Sequence, residues 1–188
     1  MHVKPLLLIL LTIFLSGAEL QAQEAPGSQK KMLVAYFSHT GNTRAIARMI
    51  QVATGADVFE IVPANPYPES YGDVLARGRQ ELKDDLRPEL KTAVPDLAPY
   101  DVIFVGSPNW FNTIVPPVMA FLSGRDFTGK TLVPFMTHGG GGLGKSLQDL
   151  KRLAPGATLL EARAFRGDAV ADAGEDVLAW LRGLKLAE

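Results

Sequence analysis

The chain contains no cysteine, which removes disulfides, thiolate metal sites and cysteine nucleophiles together, and no metal is expected. It has no excess charge of either sign, since 19 lysines and arginines stand against 20 aspartates and glutamates. That balance gives no electrostatic footing on nucleic acid or on an anionic membrane surface, so neither is expected as a partner. No apolar run reaches the roughly 20 residues that a membrane-spanning helix requires. Internal repeats and low-complexity blocks are also missing. With 188 residues of near-average composition, the folded part reads as one domain, large enough to bury about 70% of its unfolded surface without a covalent staple.

At the N terminus, "MHVK" supplies a positive start, "PLLLILLTIFL" an apolar run and "SGAELQA" a small-residue stretch before Gln23. This is the outline of a secretory signal cleaved after Ala22. No cysteine lies beside that site, so the chain is not a cysteine-acylated lipoprotein, and no paired arginines mark export in the folded state. The expectation is a signal peptide over residues 1–22 and passage through the membrane unfolded, with the bacterial periplasm as destination. The membrane is met only during export. Residues 23–31 read as a flexible lead and 32–188 as the folded domain.

From Met32 onward, strand-length apolar runs alternate with amphipathic stretches. "MLVAYF", "DVFEIVP", "DVIFVGS", "TLVPFMT" and "TLLEARAF" have the nearly continuous hydrophobicity of strands covered on both faces. Between them, Ala45, Ile46, Met49, Ile50 and Ala53 form one helical stripe, Tyr71, Leu75, Leu82 and Leu86 a second, and Leu143, Leu147 and Leu150 a third. Val118, Phe121 and Leu122 follow Pro116 and Pro117, which suit a helix start. A last helix carries Val177, Trp180, Leu181 and Leu184, with Asp172 and Glu175 in capping-box spacing at its start. Five strands each followed by a helix predict an α/β fold, a doubly wound parallel sheet whose ligand sits beyond the carboxyl ends of the strands.

That rule selects three loops. After the first strand, Ser38, His39, Thr40, Gly41, Asn42 and Thr43 lead into a helix. Hydroxyls, a glycine and a helix N terminus together suit a phosphate, although serine and threonine also cap helices with no ligand present. After the third strand, Trp110 and Phe111 stand side by side in a polar turn, so one of them is expected to offer a flat face to a planar heteroaromatic ligand, the bland reading being an aromatic plug. The third loop, "THGGGGLGKS", contains Gly139-x4-Gly144-Lys145-Ser146, the full pattern of an ATP- or GTP-binding phosphate loop. Such a loop normally follows an early strand and needs a later strand ending in a magnesium-binding aspartate. Here it follows the fourth strand, and "TLLEARAF" ends without one.

The run "LVAYFSHTGNTRAIA" resembles the phosphate-binding segment of flavodoxins. "ANPYPESY", "YDVIFVGSPNWFNTIVPPVMAFL" and "GKTLVPFMTHGGGGLGKSLQDLKRLAPGA" are similar, in order, to successive segments of a flavodoxin-like subgroup widespread in bacteria. The resemblance implies a flavodoxin-like three-layer α/β fold with five parallel strands in the order 2-1-3-4-5. It implies FMN as cofactor, with Ser38, Thr40, Gly41, Asn42 and Thr43 on its phosphate. Pro108, Asn109, Trp110, Phe111 and Asn112 would line one side of the isoalloxazine, and Thr137, His138, Gly139 and Gly140 its other border. The implied function is electron transfer, as a carrier or as an NAD(P)H- or quinone-type oxidoreductase, with a redox partner protein or a small-molecule electron acceptor. No side chain is required to be catalytic. His39 and His138 are candidates to stabilise an anionic flavin, or are simply solvated loop histidines. Two alternatives stay open: a phosphate-loop ATP or GTP binder in which Lys145 and Ser146 are essential, and a flavin-free interaction module of the same fold. A phosphoryl receiver is disfavoured because no acidic cluster follows the first strand.

Overall fold

The three longest apolar runs become the middle of the sheet, where burial on both faces demands them. They are β1 (Met32–Tyr36), β3 (Val102–Pro108) and β4 (Thr131–His138). The structure is a computed structural model that describes residues 30–188, so the expected signal peptide and residues 23–29 of the lead lie outside the described residues. β2 (Asp57–Glu60) forms one edge, and the other edge is built from β5 (Thr158–Leu159) and β6 (Arg163–Arg166), both paired with β4. All pairings are parallel, and the order is β2-β1-β3-β4-β5, the 2-1-3-4-5 sheet that the resemblance implies.

Alternation along each central strand divides the core into two layers. Val34, Phe104, Val133 and Phe135 pack against Ile46, Ala47 and Ile50 of α1 (Asn42–Thr54) and Val177, Trp180 and Leu181 of α5 (Gly174–Gly183). Leu33, Ala35, Ile103, Val105 and Leu132 face α2 (Tyr71–Lys83), α3 (Pro116–Leu122) and α4 (Ser146–Leu153) through Val74, Val118, Phe121 and Leu150. Pro116 and Pro117 open α3, where the first amides have no intrahelical acceptor. Among the described residues, no helix is long and apolar enough to cross a membrane.

Four expectations need correction. β2 is not covered on both faces, because as an edge strand it leaves Asp57 and Val58 exposed. The fifth strand is broken at residues 160–162, and the register to β4 gains one residue there, from Leu132↔Leu159 to Phe135↔Arg163. The Leu132 carbonyl accepts from Leu160 N–H at 3.0 Å, so even-numbered residues of β4 turn their polar groups toward the fifth strand. Pro134 is one of these and has no amide to donate, which interrupts the ladder at that point.

The stripe assigned to α2 is out of phase. Tyr71 is 77% exposed and Leu86 lies beyond the helix, whereas Val74, Gly78 and Glu81 are buried. A glycine and a carboxylate turn inward because their partners, described below, come from other loops. Asp172 caps nothing: it ends a short 3-10 helix (Gly167–Asp172), and the backbone at Ala173 is already helical when α5 begins.

Candidate functional site

The carboxyl ends of β1, β3, β4 and β6 release their loops on one side of the sheet, around a cleft of about 600 Å³. That is within the usual range for a small-molecule or cofactor site. At the end of β1, Ser38 Oγ accepts from Gly41 N–H at 3.2 Å and closes a turn. Gly41 stands at φ 97°, a left-handed conformation open to glycine at little cost, and α1 starts at the next residue. No side chain caps α1 and its first turn holds no acid, so its leading amides and positive dipole end are free for an anion. Thr43 Oγ1 and Thr137 Oγ1 share a buried hydrogen bond of 2.8 Å, which pins this first turn to the end of β4.

The aromatic wall comes from a tight turn after β3. Trp110 and Thr113 exchange both backbone hydrogen bonds, at 3.2 and 3.1 Å, and the two residues between them are left-handed, Phe111 at φ 52° and Asn112 at φ 68°. Non-glycine residues hold that conformation at a cost of roughly 1–2 kcal/mol each. The turn separates the two aromatics as their adjacency requires. Trp110 lies half-buried on Gly78 of α2, edge-on to Tyr67 (centroids 5.0 Å apart), Phe37 (5.9 Å) and His39 (6.1 Å). Phe111 is 38% exposed, with the Arg79 guanidinium 5.2 Å from its ring centre.

The third loop is tied to the second. Asn109 Nδ2 donates to the Gly142 carbonyl at 2.7 Å, and Lys145 N–H donates to the Asn112 carbonyl at 2.6 Å. His138 Nδ1 is buried and has no protein partner. Neither histidine is a freely solvated loop residue, since both are half-buried, His39 against Trp110 and Tyr67.

His39, Thr40, Asn42, Thr43, Pro108, Asn109, Trp110, Phe111, Thr137, His138 and Gly139 line the cleft. Ser38, Gly41, Asn112 and Gly140 do not. Ser38 and Gly41 shape the turn, Asn112 anchors the third loop, and Gly140 is exposed. The sequence reading missed Tyr71, Val74 and Leu75 of α2, and Gly167 and Asp168 after β6. The last two follow from the same strand-end rule applied once more. A Cβ on Gly167 would meet Asn42 Nδ2 at 2.7 Å, so glycine there lets the Asn42 side chain in. Asp168 pairs with Arg166 at 2.7 Å, and that hydrogen-bonded guanidinium holds its carboxyl below the usual range.

Residues 139–146 do not shape a nucleotide phosphate loop. Ser146 is fully buried in the first turn of α4, its hydroxyl turned away from solvent, and Lys145 is exposed outside the cleft. Gly144 packs so closely on the Asn112 backbone that no Cβ fits between them. Gly144 and Gly141 serve loop-to-loop packing, Gly141 against the Asn109 and Asn112 side chains.

A parallel α/β sheet with a nucleotide-sized cleft at its strand ends, polar at a helix N terminus and aromatic along one wall, defines a cofactor- or nucleotide-binding protein of the doubly wound class. The flavodoxin family model matches residues 31–183, and the chain belongs to that family. A provisionally assigned flavoprotein from Bacteroides eggerthii DSM 20697 is 34% identical, with a TM-score of 0.68, covering 82% of this chain and 97% of that one. A second, from Bacteroides uniformis ATCC 8492, is 32% identical with a TM-score of 0.73, covering 82% and 99%. A flavoprotein from Lactobacillus acidophilus NCFM, solved in complex with FMN, shares the fold at 22% identity and a TM-score of 0.61, covering 78% and 99%. No curated protein matches the chain.

Proposed function

We propose that this chain is an FMN-binding redox protein that transfers electrons, as a carrier or as an NAD(P)H- or quinone-type oxidoreductase. The observation that carries the reading is the meeting, in one cleft, of the uncapped N terminus of α1 with the aromatic wall at Trp110. The buried, unpartnered His138 Nδ1 fits the same reading, because a polar atom out of water calls for a hydrogen-bond partner and a ligand in the cleft that His138 lines can supply one.

Thr40 and the first amides of α1, with Asn42 beside them, would hold the phosphate. Thr43 supports them through its bond to Thr137. Trp110, Phe111, Pro108 and Asn109 would bound the ring on one side, and Thr137, His138 and Gly139 on the other. FMN supplies the one- and two-electron chemistry when bound. The chain's part is to bind, orient and shield, and no side chain is assigned as an acid or base. We further propose that the protein is exported to the periplasm and acquires FMN there, with a redox protein or a small-molecule acceptor as its partner.

Titration of the purified protein with FMN tests the cofactor. A stoichiometric yellow complex with quenched flavin fluorescence is expected, weakened about tenfold by Trp110→Ala and severalfold by Thr40→Ala. A chain that leaves FMN free and fluorescent would overturn the reading. For export, the mature N terminus is expected at Gln23 in the periplasmic fraction, and an intact Met1 on cytoplasmic protein would refute it.

A further inference from the structure

Among the described residues, Glu81 is the one buried carboxylate, 7% exposed, and it does not line the cleft. Burial of a charged group persists only where partners compensate it. Here Arg77 Nε donates to Glu81 Oε1 at 2.7 Å and Tyr67 Oη donates to Glu81 Oε2. Arg77 spends its remaining donors on the loop that carries the tyrosine, on the Pro66 carbonyl at 2.8 Å and the Asn65 carbonyl at 3.0 Å, and its guanidinium lies 4.3 Å from the centre of the Tyr67 ring. The Tyr67 ring is thereby fixed at its hydroxyl, across one face and at its backbone.

That ring is the nearest aromatic neighbour of Trp110, at 5.0 Å and 87°. Beside Tyr67, on the side of Phe37, His39 and Pro66, a hollow of about 220 Å³ gives it room to swing once its hydroxyl is released. Trp110 has matching freedom on its other side, the open cleft. Besides packing, therefore, the hydrogen bond to Glu81 is one of the contacts that fix the Tyr67 ring beside Trp110.

We propose that Glu81 and Tyr67 are positioning residues for the cofactor wall: the buried carboxylate holds Tyr67, and Tyr67 holds Trp110 in the orientation that the ring of the ligand meets. The effect on the cofactor rests on the FMN reading above. The hold on Trp110 does not.

Two measurements on the purified protein separate these. With 5-fluorotryptophan incorporated, the chain gives two fluorine resonances, from Trp110 and Trp180, assigned with Trp110→Phe. In Tyr67→Phe and in Glu81→Gln, the Trp110 resonance is expected to shift and broaden in the FMN-free protein while that of Trp180 stays in place. In FMN titrations, Tyr67→Phe is expected to raise Kd about fivefold in the native background and less than about twofold in the Trp110→Ala background, because a residue acting through Trp110 has nothing to act on once it is gone. An unmoved Trp110 resonance in Tyr67→Phe, or an equal loss of affinity in both backgrounds, would overturn the proposal. If the native chain binds no FMN, the cofactor reading falls, and the fluorine spectrum still decides whether Tyr67 holds Trp110.

Discussion

Gly78 sits in the interior of α2 beneath Trp110, and replacing it with alanine sets two effects against each other. A helix-interior alanine is more favourable than glycine by about 0.8–1 kcal/mol. The new methyl would lie 3.1 Å from Trp110 Cε3, 3.4 Å from Cζ3 and 3.6 Å from Phe111 Cε2. The first of these is tighter than ordinary carbon contact, so Trp110 must retreat by a few tenths of an ångström. Trp110 borders the open cleft, so it is expected to give way on that side and largely avoid the overpacking cost of roughly 1–3 kcal/mol that a closed core would impose. The expected outcome is a split. Urea unfolding of FMN-free Gly78→Ala should give a stability equal to the parent or up to about 1 kcal/mol higher. FMN affinity followed by fluorescence quenching should fall about three- to tenfold, since a displacement of the ring wall is felt directly by a stacked ligand. A variant that loses about 2 kcal/mol or more and binds FMN as the parent does would refute the reasoning, because Trp110 would then be locked and remote from the ligand.

Gly106→Ala should be severe, because a Cβ there would fall 2.6 Å from Phe135 Cε2, and closer still to Cζ, between two central strands where nothing can move aside. A loss of about 3 kcal/mol or more in urea unfolding, or no soluble protein, is expected. At alkaline pH, burial, followed by Glu81, raises the Tyr67 hydroxyl well above its ordinary range, and burial likewise raises Tyr36 and Tyr100, aided by Glu60 and Asp57. Tyrosines of the unfolded chain ionise near pH 10 while these still hold their protons, so their contribution is intact below about pH 10 and lost as pH climbs above it. Stability measured across that range should therefore decline above pH 10, with a shallower slope in Tyr67→Phe.

The central sheet and three of the four cleft loops were legible in the sequence for definite reasons. Strands buried on both faces leave continuous apolar runs, and β1, β3 and β4 are such strands. The strand-end rule then points to the loops with no structure needed. What escaped depended on partners distant in the chain. Gly78 and Glu81 face inward because Trp110 and Tyr67 meet them there, and no helical stripe counts a glycine or a glutamate as apolar. The break in the fifth strand is written in Pro134 of the neighbouring strand and not in "TLLEARAF" itself. The phosphate-loop pattern misleads for the converse reason: Gly144 satisfies close packing on Asn112 while Gly139 lines the cleft, and two unrelated demands yield the same letters as a nucleotide loop.

Charge around the cleft links these findings to redox behaviour. The three loops read from the sequence carry no aspartate or glutamate, which points to little negative field on a bound flavin. The structure adds Asp168 to the wall, where it meets Arg166, and outside the cleft lining Glu60 and Glu81 are paired with Arg44 and Arg77. Paired acids leave a field near neutral, so the reduced flavin anion is destabilised less than it would be beside unpaired carboxylates. On the FMN reading, the potential for adding the second electron should be less negative than in strongly acidic electron carriers, and spectroelectrochemistry giving a very low value would refute this. The pair at the cleft offers a sharper check. Arg166→Ala leaves Asp168 uncompensated and should make that potential more negative, and because both side chains are exposed the change should shrink as salt rises. A potential indifferent to Arg166 at low ionic strength would mean that Asp168 lies too far from the ring for its charge to matter, and the neutrality of the cleft would then rest on the three loops alone.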